Sequence, residues 1–116
     1  MEDIEIEKGH VFVLADSVKY VPNSLTSHTI LRKVTGTVSV VSIDSGKELS
    51  ERTSPFDTFI LAIEGKAEVR IDTKSFTLDA GQAIIIPAHS RNSMVGIVRS
   101  KIMSTIIKSG YEEVIM

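Results

Sequence analysis

The chain contains no cysteine and no tryptophan, and only 5% of its 116 residues are aromatic. Without a thiol it can form neither a disulfide framework nor a thiolate metal site, and it has no cysteine nucleophile. That lack suits a reducing cytosol, and a cytoplasmic location is expected. Long apolar runs are missing too. Stretches such as residues 59–63 and 83–86 are only five and four residues long, against the roughly 20 that a membrane-spanning helix needs. Nor does one sign of charge dominate: 13 basic and 15 acidic residues are interspersed, for a formal net charge of −2. Such a balance does not gather phosphate backbones or anionic lipid, so neither nucleic acid nor a membrane is an expected partner. The acidic opening, with Glu2, Asp3, Glu5 and Glu7, has the wrong sign for a targeting segment.

What is there belongs to an ordinary globule. Apolar residues make up 42% and charged residues 24%, which places the chain outside disordered and low-complexity compositions. Its length predicts one domain over residues 1–116, burying roughly two-thirds of the unfolded surface. Val11, Leu14, Ala15 and Val18 fall at helical spacing ahead of Pro22 and predict a short N-terminal helix. From Ser27 onward the pattern changes to short runs rich in Val, Ile, Thr and Phe. Turn chemistry such as Thr35-Gly36, Asp44-Ser45-Gly46, Glu64-Gly65 and Ala80-Gly81 separates them.

This rhythm predicts an all-β fold with a barrel core over about residues 27–108 and eight strands: 28–34, 37–43, 58–63, 67–71, 75–78, 83–86, 92–98 and 101–108. In the strand 67–71, Ala67, Val69 and Ile71 alternate with charges, so one face is wet. Residues 59–63 and 83–86 are apolar throughout and predict strands covered on both faces. The outer cover is either the chain's own N-terminal segment or a partner subunit, and a homodimer is the expected state.

Gly46-x5-Arg52-Thr53-Ser54-Pro55-Phe56-Asp57, then Ile63-Glu64-Gly65, then Leu78-x-Ala80-Gly81-x5-Pro87 resemble the two spaced motifs of the cupin superfamily. They are most similar to those of its small single-domain members. The resemblance implies a jelly-roll β-barrel whose interior ordinarily holds one divalent metal such as iron, manganese, nickel or zinc. Laid on this chain, the first motif's ligand positions fall on Arg52, Ser54 and Thr58, and the second motif's histidine position falls on Asn92. A guanidinium has a permanent positive charge and no lone pair to donate, so Arg52 repels a metal ion.

Three readings follow. In the first, the four residues satisfy one another and water in a wet cavity. Alternatively Arg52, Ser54, Thr58 and Asn92 bind a small anionic or polyhydroxylated ligand, with the planar fork of Arg52 suited to a carboxylate or phosphate. In the third reading displaced ligands, His89 and Asp57, rescue a metal-dependent enzyme of the dioxygenase or isomerase type that the resemblance implies. Asp57 is better suited to capping or fixing the Pro55-Phe56 turn. The sequence favours a non-catalytic ligand-binding barrel with no cofactor and no metal. His89 and Ser90 are adjacent, with no acid placed to orient the imidazole, which argues against a nucleophilic hydrolase. Residues 109–116 read as a tail lying on a neighbouring surface.

Overall fold

The computed structural model describes residues 5–111. Alternating β-branched residues and glycine turns fold into nine strands: β1 (Leu25–Lys33), β2 (Gly36–Ile43), β3 (Glu48–Thr53), β4 (Asp57–Glu64), β5 (Lys66–Ile71), β6 (Lys74–Asp79), β7 (Ala83–Ile86), β8 (Arg91–Gly96) and β9 (Ser100–Ile107). They form two antiparallel sheets, one ordered β1-β2-β9-β4-β7 and the other β3-β8-β5-β6. The all-β jelly-roll expectation therefore holds. The strand absent from the sequence reading is β3, in which Leu49 is the single large apolar residue among charged and hydroxyl neighbours. An edge strand with one apolar anchor gives no period-2 signal.

The inner faces of the sheets meet in a core of Ile43, Ile60, Ala62, Ala67, Val69, Leu78, Ile86, Met94 and Ile102. Each large aliphatic side chain buried there contributes about 1.5–3 kcal/mol relative to exposure. The predicted strand 67–71 alternates as expected, with Ala67 and Val69 fully buried and Arg70 exposed.

The short N-terminal helix is present as a single turn. Only Leu14–Ser17 winds, as a 3-10 turn, with Val13 and Val18 extended on either side. Four residues cannot repay helix nucleation, and the segment is fixed by packing instead. Its backbone binds the outer face of the five-stranded sheet, where the hydroxyls of Thr26 and Ser42 donate to the carbonyl of Lys19. Val18 and Val40 are buried near this contact.

The motif glycines Gly46, Gly65 and Gly81 all have positive φ. Gly65 is the tightest: at φ 85° an added Cβ lies 2.1 Å from the carbonyl oxygen of Arg99. No side chain fits there, so the β4–β5 turn requires glycine. Among the described residues, no helix is long and apolar enough to cross a membrane.

Candidate functional site

Four turns gather at one end of the barrel: residues 34–35, 54–56, 72–73 and 87–90 join strand pairs there. Residues paired across antiparallel strands share a face, so the registers define the last inward rows at this mouth. In the four-stranded sheet the row is Arg52, Asn92, Ile71 and Lys74. In the five-stranded sheet it is Arg32, Thr37, Ile106, Thr58 and Ile86. The four-stranded row ends in a cation on each side and contains no carboxylate.

Arg52 and Asn92 are direct partners in the β3–β8 ladder. Asn92 is buried, and its side-chain amide donates to the carbonyls of Arg52 at 3.2 Å and Ser90 at 3.4 Å. Those bonds hold the β3 edge against the β7–β8 turn. The Arg52 side chain is exposed at the rim and makes no hydrogen bond or ion pair within the described residues. Thr58 is buried on the opposite sheet. Ser54 lies in the turn between β3 and β4; its Oγ accepts the amide of Phe56 at 3.2 Å and its carbonyl accepts the amide of His89 at 2.6 Å. The four residues thus share the mouth, with Arg52 outermost.

Lys74 was missed by the sequence reading, which begins its strand at Ser75. Its place follows from the turn: Asp72 and Thr73 are the only residues between Ile71 and Lys74, which makes those two partners. Lys74 is exposed and has no hydrogen-bonding or ionic partner among the described residues. Arg32, at the far end of the other row, donates to the hydroxyl of buried Thr29 at 3.1 Å.

Among the described residues, the acids at this end are engaged, Glu51 with the Arg91 side chain at 4.0 Å. The Asp57 carboxylate accepts the amide of Ala88 at 2.8 Å, and that of Asp72 accepts the amide of Arg91 at 3.0 Å. Asp57 thereby ties the β7–β8 turn and does not cap its own Pro55-Phe56 turn through that oxygen. Tyr111 closes the same corner: its hydroxyl donates to the carbonyl of Ile107 and accepts the amide of Asp57, and its ring meets Phe56 at 5.9 Å. The tail from residue 112 lies outside the described residues.

The donor set does not fit the divalent metal that the motif resemblance implies. Arg52 has no lone pair to offer, the Asn92 amide points hydrogens at two carbonyls, and the Ser54 hydroxyl already accepts an amide. Among the described residues, no group of three or more His, Cys, Asp or Glu stands together that could hold an ion.

A second polar cluster lies at the opposite end. Tyr20 donates to Glu64 at 2.7 Å, while Arg99 and Lys101 stand over its ring at 4.9 and 5.0 Å. Buried Lys101 donates to the carbonyl of Ala15 at 2.6 Å. The amides of Asn23 and Ser45, with Arg99 beside them, hold the Asp44 carboxyl below its usual range. This cluster anchors the N-terminal segment.

Comparisons with known structures match this architecture. SPY1581, a conserved protein of unknown function from Streptococcus pyogenes, superposes with a TM-score of 0.86 and 24% identity, covering 94% of this chain and 96% of that one. A cupin superfamily protein from Desulfitobacterium hafniense gives 0.85 with 20% identity, covering 94% and 100%. KdgF from a Halomonas species gives 0.73 with 16% identity, covering 86% and 95%. No family model and no curated protein matches the chain. Two antiparallel sheets closed around one apolar core, together with these likenesses, give the chain the cupin fold.

Proposed function

We propose that the protein is a small-molecule-binding barrel whose mouth takes an anionic ligand, with Arg52, Ser54, Thr58 and Asn92 at the site and no catalytic step. The observation that carries this reading is the inward row Arg52, Asn92, Ile71, Lys74, which has a cation at each end and no acid. Arg52 offers a carboxylate or phosphate two parallel N–H donors, and Lys74 stands as a second, separate cation at the other end of the row. The acids at this end stand outside that row: Asp57 and Asp72 accept the amides of Ala88 and Arg91, and Glu51 faces the Arg91 side chain.

Thermal-shift titration with acetate, inorganic phosphate and a neutral polyol tests the reading. Saturation by either anion, with affinity about tenfold weaker in Arg52→Ala, is the expected result; at 100 times its dissociation constant a ligand adds about 2.7 kcal/mol of stability. Indifference to every anion overturns it. So does near-stoichiometric iron, nickel, manganese or zinc in protein purified without a His-tag, which restores the metal-dependent alternative.

A second copy is the partner we assign to the outer face of the five-stranded sheet. Leu31, Val38, Thr105, Phe59 and Ile85 form one row across all five strands. Phe59 and Ile85 remain 38% and 61% exposed, and the extended Val11, Phe12 and Val13 are exposed beside the 3-10 turn. Five strands make a face about 20 Å across, a scale that suits the roughly 800 Å² each partner gives to a standard interface. Sedimentation of the full chain should give a dimer that Phe59→Lys converts to monomer; a monomeric parent chain refutes the assignment. A cytoplasmic setting is proposed on the lack of thiols alone.

A further inference from the structure

We infer that the open seam between β6 and β7 is a groove for the apolar body of the mouth's ligand, so that the guest is an amphipathic monoanion: an alkyl or aryl chain ending in a carboxylate. The inference rests on the anion-binding reading of the mouth and narrows its ligand class.

The two sheets do not pair along this side. β6 ends one sheet and β7 ends the other. Two hollows, of about 510 and 590 Å³, open along the seam. Both are lined by Phe76 and Ile84, so the two adjoin along the seam. Each lies within the roughly 300–1,000 Å³ range of small-molecule sites. The inward-facing residues of β6 here are apolar, Phe76 being the ladder partner of core Val69 and Leu78 that of core Ala67, while Ser75, Thr77 and Gln82 also line the second hollow. Across the gap, Ile84 pairs with core Ile60.

At the mouth end the groove is lined by Ile71, Asp72, Thr73, Lys74 and Pro87. Ile71 belongs at once to the groove and to the cationic row, and Lys74 is its ladder partner. The seam therefore runs into a rim where Lys74 has no hydrogen-bonding or ionic partner among the described residues, beside an Asp72 carboxylate that accepts the amide of Arg91. Arg52 is three strand spacings from Lys74, about 14 Å along the row, too far for both to grip one acetate or phosphate. A small anion leaves the groove empty, and an uncharged chain leaves Lys74 without a partner. A chain with one anionic end satisfies both.

A peptide strand is a poorer occupant. β7 offers an edge of only four residues, and a charge such as Lys74 on an edge discourages strand addition.

Calorimetric titration of the full chain with octanoate, 1-octanol and acetate tests the proposal. Octanoate should bind at least tenfold more tightly than either comparison compound. Lys74→Glu should remove its advantage over octanol, and Phe76→Asp its advantage over acetate, with far-ultraviolet circular dichroism reporting that each variant is folded. Phe76→Leu, which keeps the apolar floor, should retain binding. If acetate or phosphate binds through Arg52 as well as octanoate does, the groove plays no part and the inference fails while the anion reading survives. If octanol matches octanoate, the charge at Lys74 is idle and the inference fails. Octanoate binding unaltered by either substitution puts the chain elsewhere and also overturns it. If no anion binds, the reading of the mouth falls too.

Discussion

The two ends of the barrel use the same kinds of residue to opposite effect. At the end that holds the N-terminal segment, charge and hydroxyl are spent inside the chain. Tyr20 is bound to Glu64, Lys101 to the carbonyl of Ala15, and Ser100 to the carbonyls of Lys66 and Val98. At the mouth, Arg52 and Lys74 have no hydrogen-bonding or ionic partner among the described residues. A polar group satisfied within its own chain registers as stability, whereas one left facing solvent is free for a guest.

The sharpest way to break that contrast is Gly65→Ala. Its Cβ would stand 2.1 Å from a backbone oxygen, at φ 85°. Neither the turn nor β9 can give way cheaply, so a loss of about 4 kcal/mol or more, or failure to fold, is expected in urea unfolding. A loss under about 1 kcal/mol would mean that this end is loosely built.

Lys101→Ala comes next. The side chain is buried, supports the Ala15 carbonyl and lies over Tyr20. Its removal should cost about 2 kcal/mol and make the N-terminal segment cleavable by limited proteolysis, with the barrel core intact.

Alkaline titration probes the same anchor more gently. Burial, then the hydrogen bond to Glu64, pushes the Tyr20 hydroxyl above its ordinary value of 10.0. The folded chain keeps a proton that the unfolded chain releases above that value, so this contribution is complete below pH 10 and is lost as the pH rises further. Thermal unfolding above pH 10 should show that decline, and Tyr20→Phe should flatten it.

Smallest in stability is Arg52→Ala at the mouth. An exposed, unpartnered side chain should change unfolding by no more than about 0.5 kcal/mol. Affinity for the anion should nevertheless fall about tenfold, or about 1.4 kcal/mol. Equal losses in stability and affinity would erase the distinction between the two ends.

Much of the fold was legible because its signals are local. Ala67, Val69 and Ile71 announce a half-buried strand by period alone, and the positive φ of Gly46, Gly65 and Gly81 explains why their spacing survives where the ligand positions carry other residues. The glycines serve the turns, which every barrel of this kind needs, and the ligand positions serve chemistry. β3 was illegible, since its place depends on ladder bonds to β8 while its side chains are mostly wet. The candidate site was half legible: Arg52, Ser54, Thr58 and Asn92 could be placed by motif, but Lys74 joins them only when β5 and β6 are paired in register.

The order of residues by itself determined the turns, the apolar strands and the presence of an arginine where an imidazole would bind metal, because each depends on one residue's own geometry or charge. Which polar groups would be spent on the chain and which left open was decided only by tertiary structure. Lys101 and Lys74 are the same side chain, and only the elements packed around them make one an anchor and leave the other exposed on an apolar seam.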